Sequence, residues 1–102
     1  MIDYIVEVFI EPEKTTEWLL WMNSTHIPEV LSTGYFLHNS IFQSKDVDSV
    51  GAFQIRYRCS SLKMFRDYQR KYAKELQLKH TELFGKYTKA TRRIEVINYV
   101  EV

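Results

Sequence analysis

One cysteine, Cys59, is the only thiol in this 102-residue chain. An internal disulfide and a zinc site built on a thiol pair are therefore excluded, and a reducing compartment, the cytoplasm, is the expected location. Glycine (3) and proline (2) are scarce, which excludes a low-complexity or linker-like chain and favours one compact domain over residues 1–102. An excess of one charge is missing as well: 14 Lys and Arg face 13 Asp and Glu. No block of like charge can track a phosphate backbone or an anionic bilayer, so neither nucleic acid nor membrane is an expected partner. The longest apolar run, Trp18 to Met22, is far too short to span a bilayer. The opening MIDYIVEVFIEPE has acids at positions 3 and 7, where a signal peptide would be basic and then apolar.

What the chain has is 45% hydrophobic and 15% aromatic residues, enough for one core. Residues 2–10 alternate Ile2, Tyr4, Val6, Val8, Ile10 against Asp3, Ile5, Glu7, Phe9, the period-two pattern of a strand. Pro12 ends it. Thr15 or Thr16 is placed to cap a helix with Glu17 in its first turn, and Pro28 is either a kink or the start of a second short helix ending near Gly34. Residues 35–44 predict a second strand, KDVDS a hairpin connection, and about 50–59 a third strand. Ser60 or Ser61 caps a periodic helix through Leu62, Phe65, Tyr68, Tyr72 and Leu76. A further helical piece runs from Ala73 to Gly85 with Leu76, Leu83 and Phe84 apolar, and a last strand covers about Lys89 to Val100. The order βαββαβ predicts an α+β, ferredoxin-like sandwich: a four-stranded antiparallel sheet with its helices on one face.

The second sheet face is then open. Phe53, Ile55, Tyr57 and Cys59 belong under the helices, which sends Ala52, Gln54, Arg56 and Arg58 to the open side together with Ile5, Glu7 and Phe9. Apolar side chains beside a carboxylate and two guanidiniums are hard to leave in water, so a homodimer joined through this face is expected. RNA-recognition domains share the element order, but their outward aromatics are replaced here by Ala52 and Gln54, which argues against RNA.

The most unusual stretch is EWLLWMNSTHIPEVLSTGYF, residues 17–36. On a continuous helix Leu19, Met22, His26 and Val30 form one stripe, so His26 points toward the sheet or its edge. An imidazole titrates near neutral pH, which makes His26 the candidate acid or base; the alternative is a hydrogen-bonded structural histidine near a helix end. Trp18 and Trp21 are candidate apolar walls of a ligand site, or core packing. Arg56 or Arg58 is the candidate anchor for an anionic small organic molecule. His38 and His80 lack the spaced partners of a zinc site, and no metal or cofactor is expected. Glu11, Glu13 and Glu17 suit a helix start, and no phosphate loop or nucleophile elbow is present.

The same stretch resembles the region around a His-Ile-Pro-Glu-Val-Leu core in the bacterial domain of unknown function 4286 family. The likeness continues more loosely through the Ser61-Leu62 helix start, the Leu83-Phe84-Gly85 stop and the last strand, covering nearly the whole chain. The positions that match are Trp18, Trp21, His26, Pro28 and Gly34, with no role attached. The family is similar in layout to dimeric α/β-barrel proteins, in which two ferredoxin-like domains join their open sheet faces, so the resemblance implies a homodimer of that type. Members of that wider group bind small organic molecules between sheet and helices, and some are cofactor-free oxygenases, isomerases or haem-degrading enzymes. Two function classes follow: a homodimeric small-molecule-binding protein or cofactor-free enzyme using His26, and a non-catalytic dimerisation or protein-interaction module.

Overall fold

The computed structural model describes residues 1–46 and 49–98. Strand β1 (Ile2–Ile10) leads through a 3-10 turn at Pro12–Lys14 into α1 (Thr15–Trp21), a π-helical turn at Met22–His26, and α2 (Ile27–Ser32). The hairpin strands β2 (His38–Asp46) and β3 (Ser49–Cys59) follow. The second helical arm is α3 (Leu62–Tyr68), a π-helical turn at Gln69–Ala73, and α4 (Lys74–Phe84), and a 3-10 turn at Gly85–Tyr87 returns the chain to β4 (Thr88–Val96). The strands lie in the order β2-β3-β1-β4, and every neighbouring pair is antiparallel. This is the expected ferredoxin-like sandwich.

Several boundaries differ from the sequence reading for local reasons. Neither Thr15 nor Thr16 caps α1, because the helix is already entered at Pro12, whose missing N–H costs nothing in a first turn. Ser61 does cap α3, its hydroxyl accepting from the Met64 N–H at 3.1 Å. Strand β2 starts at His38 and not at Tyr35, because Gly34 ends the first arm at φ +83° and the next residues cross from helix layer to sheet. Phe36 is buried on that crossing, and the Leu37 N–H reaches the Arg58 carbonyl at 2.8 Å. In the KDVDS connection Asp46 pairs with Ser49, while residues 47 and 48 lie outside the described residues, as do residues 99 and 100 of the expected last strand.

The register places the core. Ile2, Tyr4, Val8 and Ile10 of β1 and Phe53, Ile55, Tyr57 and Cys59 of β3 are buried under the helices, as the alternation requires. On the helices, the π turns decide what faces them. The buried positions of the first arm run Trp18, Met22, Ile27, Val30, and those of the second run Phe65, Tyr68, Ala73, Leu76, His80, Phe84. In each arm one step of five residues replaces a step of four at the π turn. A single extra residue rotates the following helix by about 100° relative to an uninterrupted stripe. Tyr72 is thereby turned to the margin and Leu83 is 54% exposed, while His80 takes a core position.

Pro28 accounts for the first π turn. Its ring lacks an N–H and crowds the carbonyl four residues back, so a regular helix cannot pass through it unstrained. The widened turn, in which the Ile27 N–H bonds to the Met22 carbonyl, carries the chain past that point, and Pro28 then sits in the first turn of α2. The kink and the new helix start are thus one feature.

Candidate functional site

His26, the last residue of the first π turn, lies between the helices and the sheet, against His80 of α4. Their ring centroids are 5.9 Å apart. Trp21 stacks on His26 at 4.9 Å and 27°. Trp18 is wholly buried behind His80, and its indole N–H donates to His80 Nε2 at 2.9 Å. That bond fixes the neutral tautomer of His80: Nε2 is the acceptor, so the proton is on Nδ1. His26 differs. Its Nδ1 is buried and has no hydrogen-bond partner among the described residues.

Both histidines border a small cavity whose other walls include Tyr4, Met22, Ile55, Tyr57, Gln77 and Arg92. Its volume is about 30 Å³, room for one or two water molecules where a single water needs about 10–15 Å³. Arg92 is the one cationic side chain in the lining, and it forms no ion pair among the described residues. It reaches this side because it pairs with Val6 across the β1–β4 ladder, which puts it on the helix face of an edge strand.

The electrostatics follow chiefly from burial. Desolvation, the neighbouring His80 and Arg92 push the His26 imidazolium down to about 4, against a smaller opposing pull from Glu29. His80 is lowered by burial and then by Arg92. Burial raises the phenols of Tyr4, Tyr57 and Tyr68. At neutral pH the site therefore holds two neutral imidazoles, neutral phenols and one guanidinium. A neutral His26 accepts a proton there only if a negative charge appears beside it, because an imidazolium buried against His80 is disfavoured first by desolvation.

The other residues singled out from the sequence are placed as follows. Trp18 and Trp21 do not line the cavity; they back the two histidines and orient them. Arg56 and Arg58 do not anchor anything beside His26, since strand alternation puts them on the opposite face of the sheet. There Arg58 grips Asp3 through Nε and Nη2, and Arg56 reaches Asp3 at 3.3 Å and Glu95 at 3.1 Å. Arg93 bonds to Glu7 at 2.6 Å. This lattice of charges closes over Ile5, which is 0% exposed although it faces away from the helices. Arg58, then Arg56, hold the Asp3 carboxyl below its ordinary range. Phe9 and Phe42 remain exposed on the same face, at 48% and 55%.

His80 and Arg92 were missed from the sequence. The signal for His80 was its spacing of four from both Leu76 and Phe84, a histidine inside an apolar stripe. Arg92 needed the strand register, because only pairing tells which parity of β4 faces the helices.

The family described as "Domain of unknown function (DUF4286)" matches residues 1–97. The chain belongs to that family. No curated protein matches it. Among solved structures, HapK from Hahella chejuensis is similar with TM-score 0.74 and 5% identity, covering 100% of this chain and 97% of that one. A dimeric ferredoxin-like protein from an uncultured marine organism has TM-score 0.70 and 13% identity, covering 99% and 96%. SnoaB, a cofactor-independent oxygenase from Streptomyces nogalater, has TM-score 0.68 and 8% identity, covering 97% and 94%. At such identities these likenesses bear on the fold alone. Among the described residues of this DUF4286 chain, no helix is long and apolar enough to cross a membrane. No group of three or more His, Cys, Asp or Glu is placed there to hold a metal ion.

Proposed function

We propose that this DUF4286 protein is a homodimer that binds a small organic molecule at the cavity between the first helical arm and the sheet, with His26 as the proton acceptor or donor. The observation that carries this reading is the convergence around one cavity of a buried nitrogen, His26 Nδ1, and of Arg92, the first without a hydrogen-bond partner and the second without an ion pair among the described residues, with His80. A histidine kept only for structure would have its ring nitrogens satisfied, as His80 Nε2 is by Trp18. Arg92, in place of Arg56 or Arg58, is the group that meets negative charge on the ligand. Proton transfer from ligand to His26 would create an imidazolium and a ligand anion together, and Arg92 stabilises the anion. The small cavity admits a polar head group and leaves the body of the ligand outside.

Assembly through the open face is supported by its exposed Phe9 and Phe42 around self-complementary charges, and by the neighbour named as dimeric. The neighbour named as a cofactor-independent oxygenase supports chemistry without a bound cofactor, by fold alone. The buried, unpaired Cys59 suits a cytoplasmic setting.

The test is a fragment screen followed through the imidazole carbon resonances of ¹³C-labelled protein. Binders should shift His26 and His80 and leave His38, on the open face, unmoved. Hits that move only His38, or none at all, refute the site. Sedimentation at roughly 10–100 μM should give a dimer, and a monomer there refutes the assembly.

A further inference from the structure

We infer that the ligand of this site is an aromatic acid whose ring and carboxylate lie in a surface groove between α3 and β4 while a small polar substituent enters the histidine cavity; this rests on the cavity being a binding site. The groove, about 210 Å³, is lined by Tyr4, Phe65, Arg66, Gln69, Arg92 and the edge of β4 at Arg93 and Ile94. Tyr4 and Arg92 belong to both spaces. They are the lining shared by a groove of about 210 Å³ and a cavity of about 30 Å³.

The chemistry of the two compartments differs. Tyr4 and Phe65, core residues only 6% and 2% exposed, border the groove with ring centroids 4.9 Å apart and give it an apolar wall against which a ring can lie. Of its three arginines only Arg93 is neutralised, by Glu7 and Glu95. Arg66 bonds to the neutral Gln69 at 2.8 Å and lies 6.0 Å from the Phe65 ring centroid, and it has no carboxylate partner among the described residues. With Arg92, two guanidiniums without a carboxylate partner among the described residues border this groove, the combination that takes a planar carboxylate by paired N–H donors. The inner compartment holds the two neutral histidines and repels a bare charge by desolvation, so a hydroxyl or carbonyl enters it and the acid stays outside. Arg92 then lies between the two ends of the molecule, close enough to answer charge developing on either.

Titrations with 4-hydroxybenzoate and its neutral counterpart 4-hydroxybenzamide test this, again read through the imidazole resonances of the full chain. The acid should bind at least about ten-fold tighter than the amide and shift both His26 and His80. Arg66→Gln, an exposed helix position, should remove most of that preference while keeping the amide's affinity, and Arg92→Gln should weaken both probes. Inorganic phosphate alone should leave the histidines unshifted. Equal binding of acid and amide with both histidines moving overturns the acid inference and leaves the pocket standing. Equal shifts with phosphate overturn the aromatic part. Silence from both benzoate probes also overturns the inference, and the fragment screen then decides the pocket by itself.

Discussion

The sharpest consequence of the site concerns acid, because burial and then the neighbouring His80 set His26 against protonation. The folded imidazolium is held to about 4, whereas the unfolded chain takes the ordinary 6.5. A folded value below the unfolded one means that stability is fully present above about pH 6.5 and is lost as pH falls toward 4, where the unfolded chain binds a proton the folded one refuses. With one pK unit equal to about 1.4 kcal/mol, the loss through His26 by pH 4 is about 3 kcal/mol. His26→Gln removes this term. At pH 7.5 the variant should be about 0.5–1.5 kcal/mol less stable than the parent, for the loss of the ring stacked on Trp21. No described protein group loses a hydrogen bond at Nδ1. At pH 4 the order should reverse, with the variant ahead by about 2 kcal/mol. Urea unfolding at the two pH values measures it, and an NMR titration of His26 locates the proton. Parallel stabilities at both pH values, or a His26 midpoint near 6.5, would refute the reasoning.

Three further substitutions probe the surroundings. Trp18→Phe leaves His80 Nε2 without its donor and should cost about 1–3 kcal/mol in urea unfolding. It should also release the tautomer, seen as a mixed ¹⁵N pattern at His80; an unchanged pattern would show that another group holds the proton. Asp3→Asn removes the anion that holds Arg58 and Arg56 over Ile5 and should cost about 3 kcal/mol at pH 7. Because the Asp3 value is lowered on folding, its contribution exists above the ordinary carboxylate range and fades as pH falls, so the penalty should shrink in acid; a penalty independent of pH would argue against it. Ser61→Ala strips the side-chain cap of α3 and should cost about 1 kcal/mol, restored by Ser61→Asp; equal loss in both variants would deny the capping role.

The fold was legible in the sequence because its signals are local. Alternation in residues 2–10 and 50–59 set the strands and their inner faces, and the polar Ser61 before an apolar helix set a cap. The same alternation assigned Arg56 and Arg58 to the open side, which already forbade their meeting His26. The site was legible only in part. His26 stood out beside Pro28, yet its surroundings depended on two things that no local pattern carries. One is the extra residue at each π turn, which rotates α2 and α4 about their axes and leaves His80 buried and Leu83 exposed. The other is the β1–β4 register, which puts Arg92 beside the helices and Arg93 on the open face. A single step in either would exchange the neighbours of His26, since one residue turns a helix by about 100° and a strand by about 180°. The strand alternation and the Ser61 cap were therefore written in the sequence, whereas the meeting of His26, His80 and Arg92 was decided only by tertiary packing.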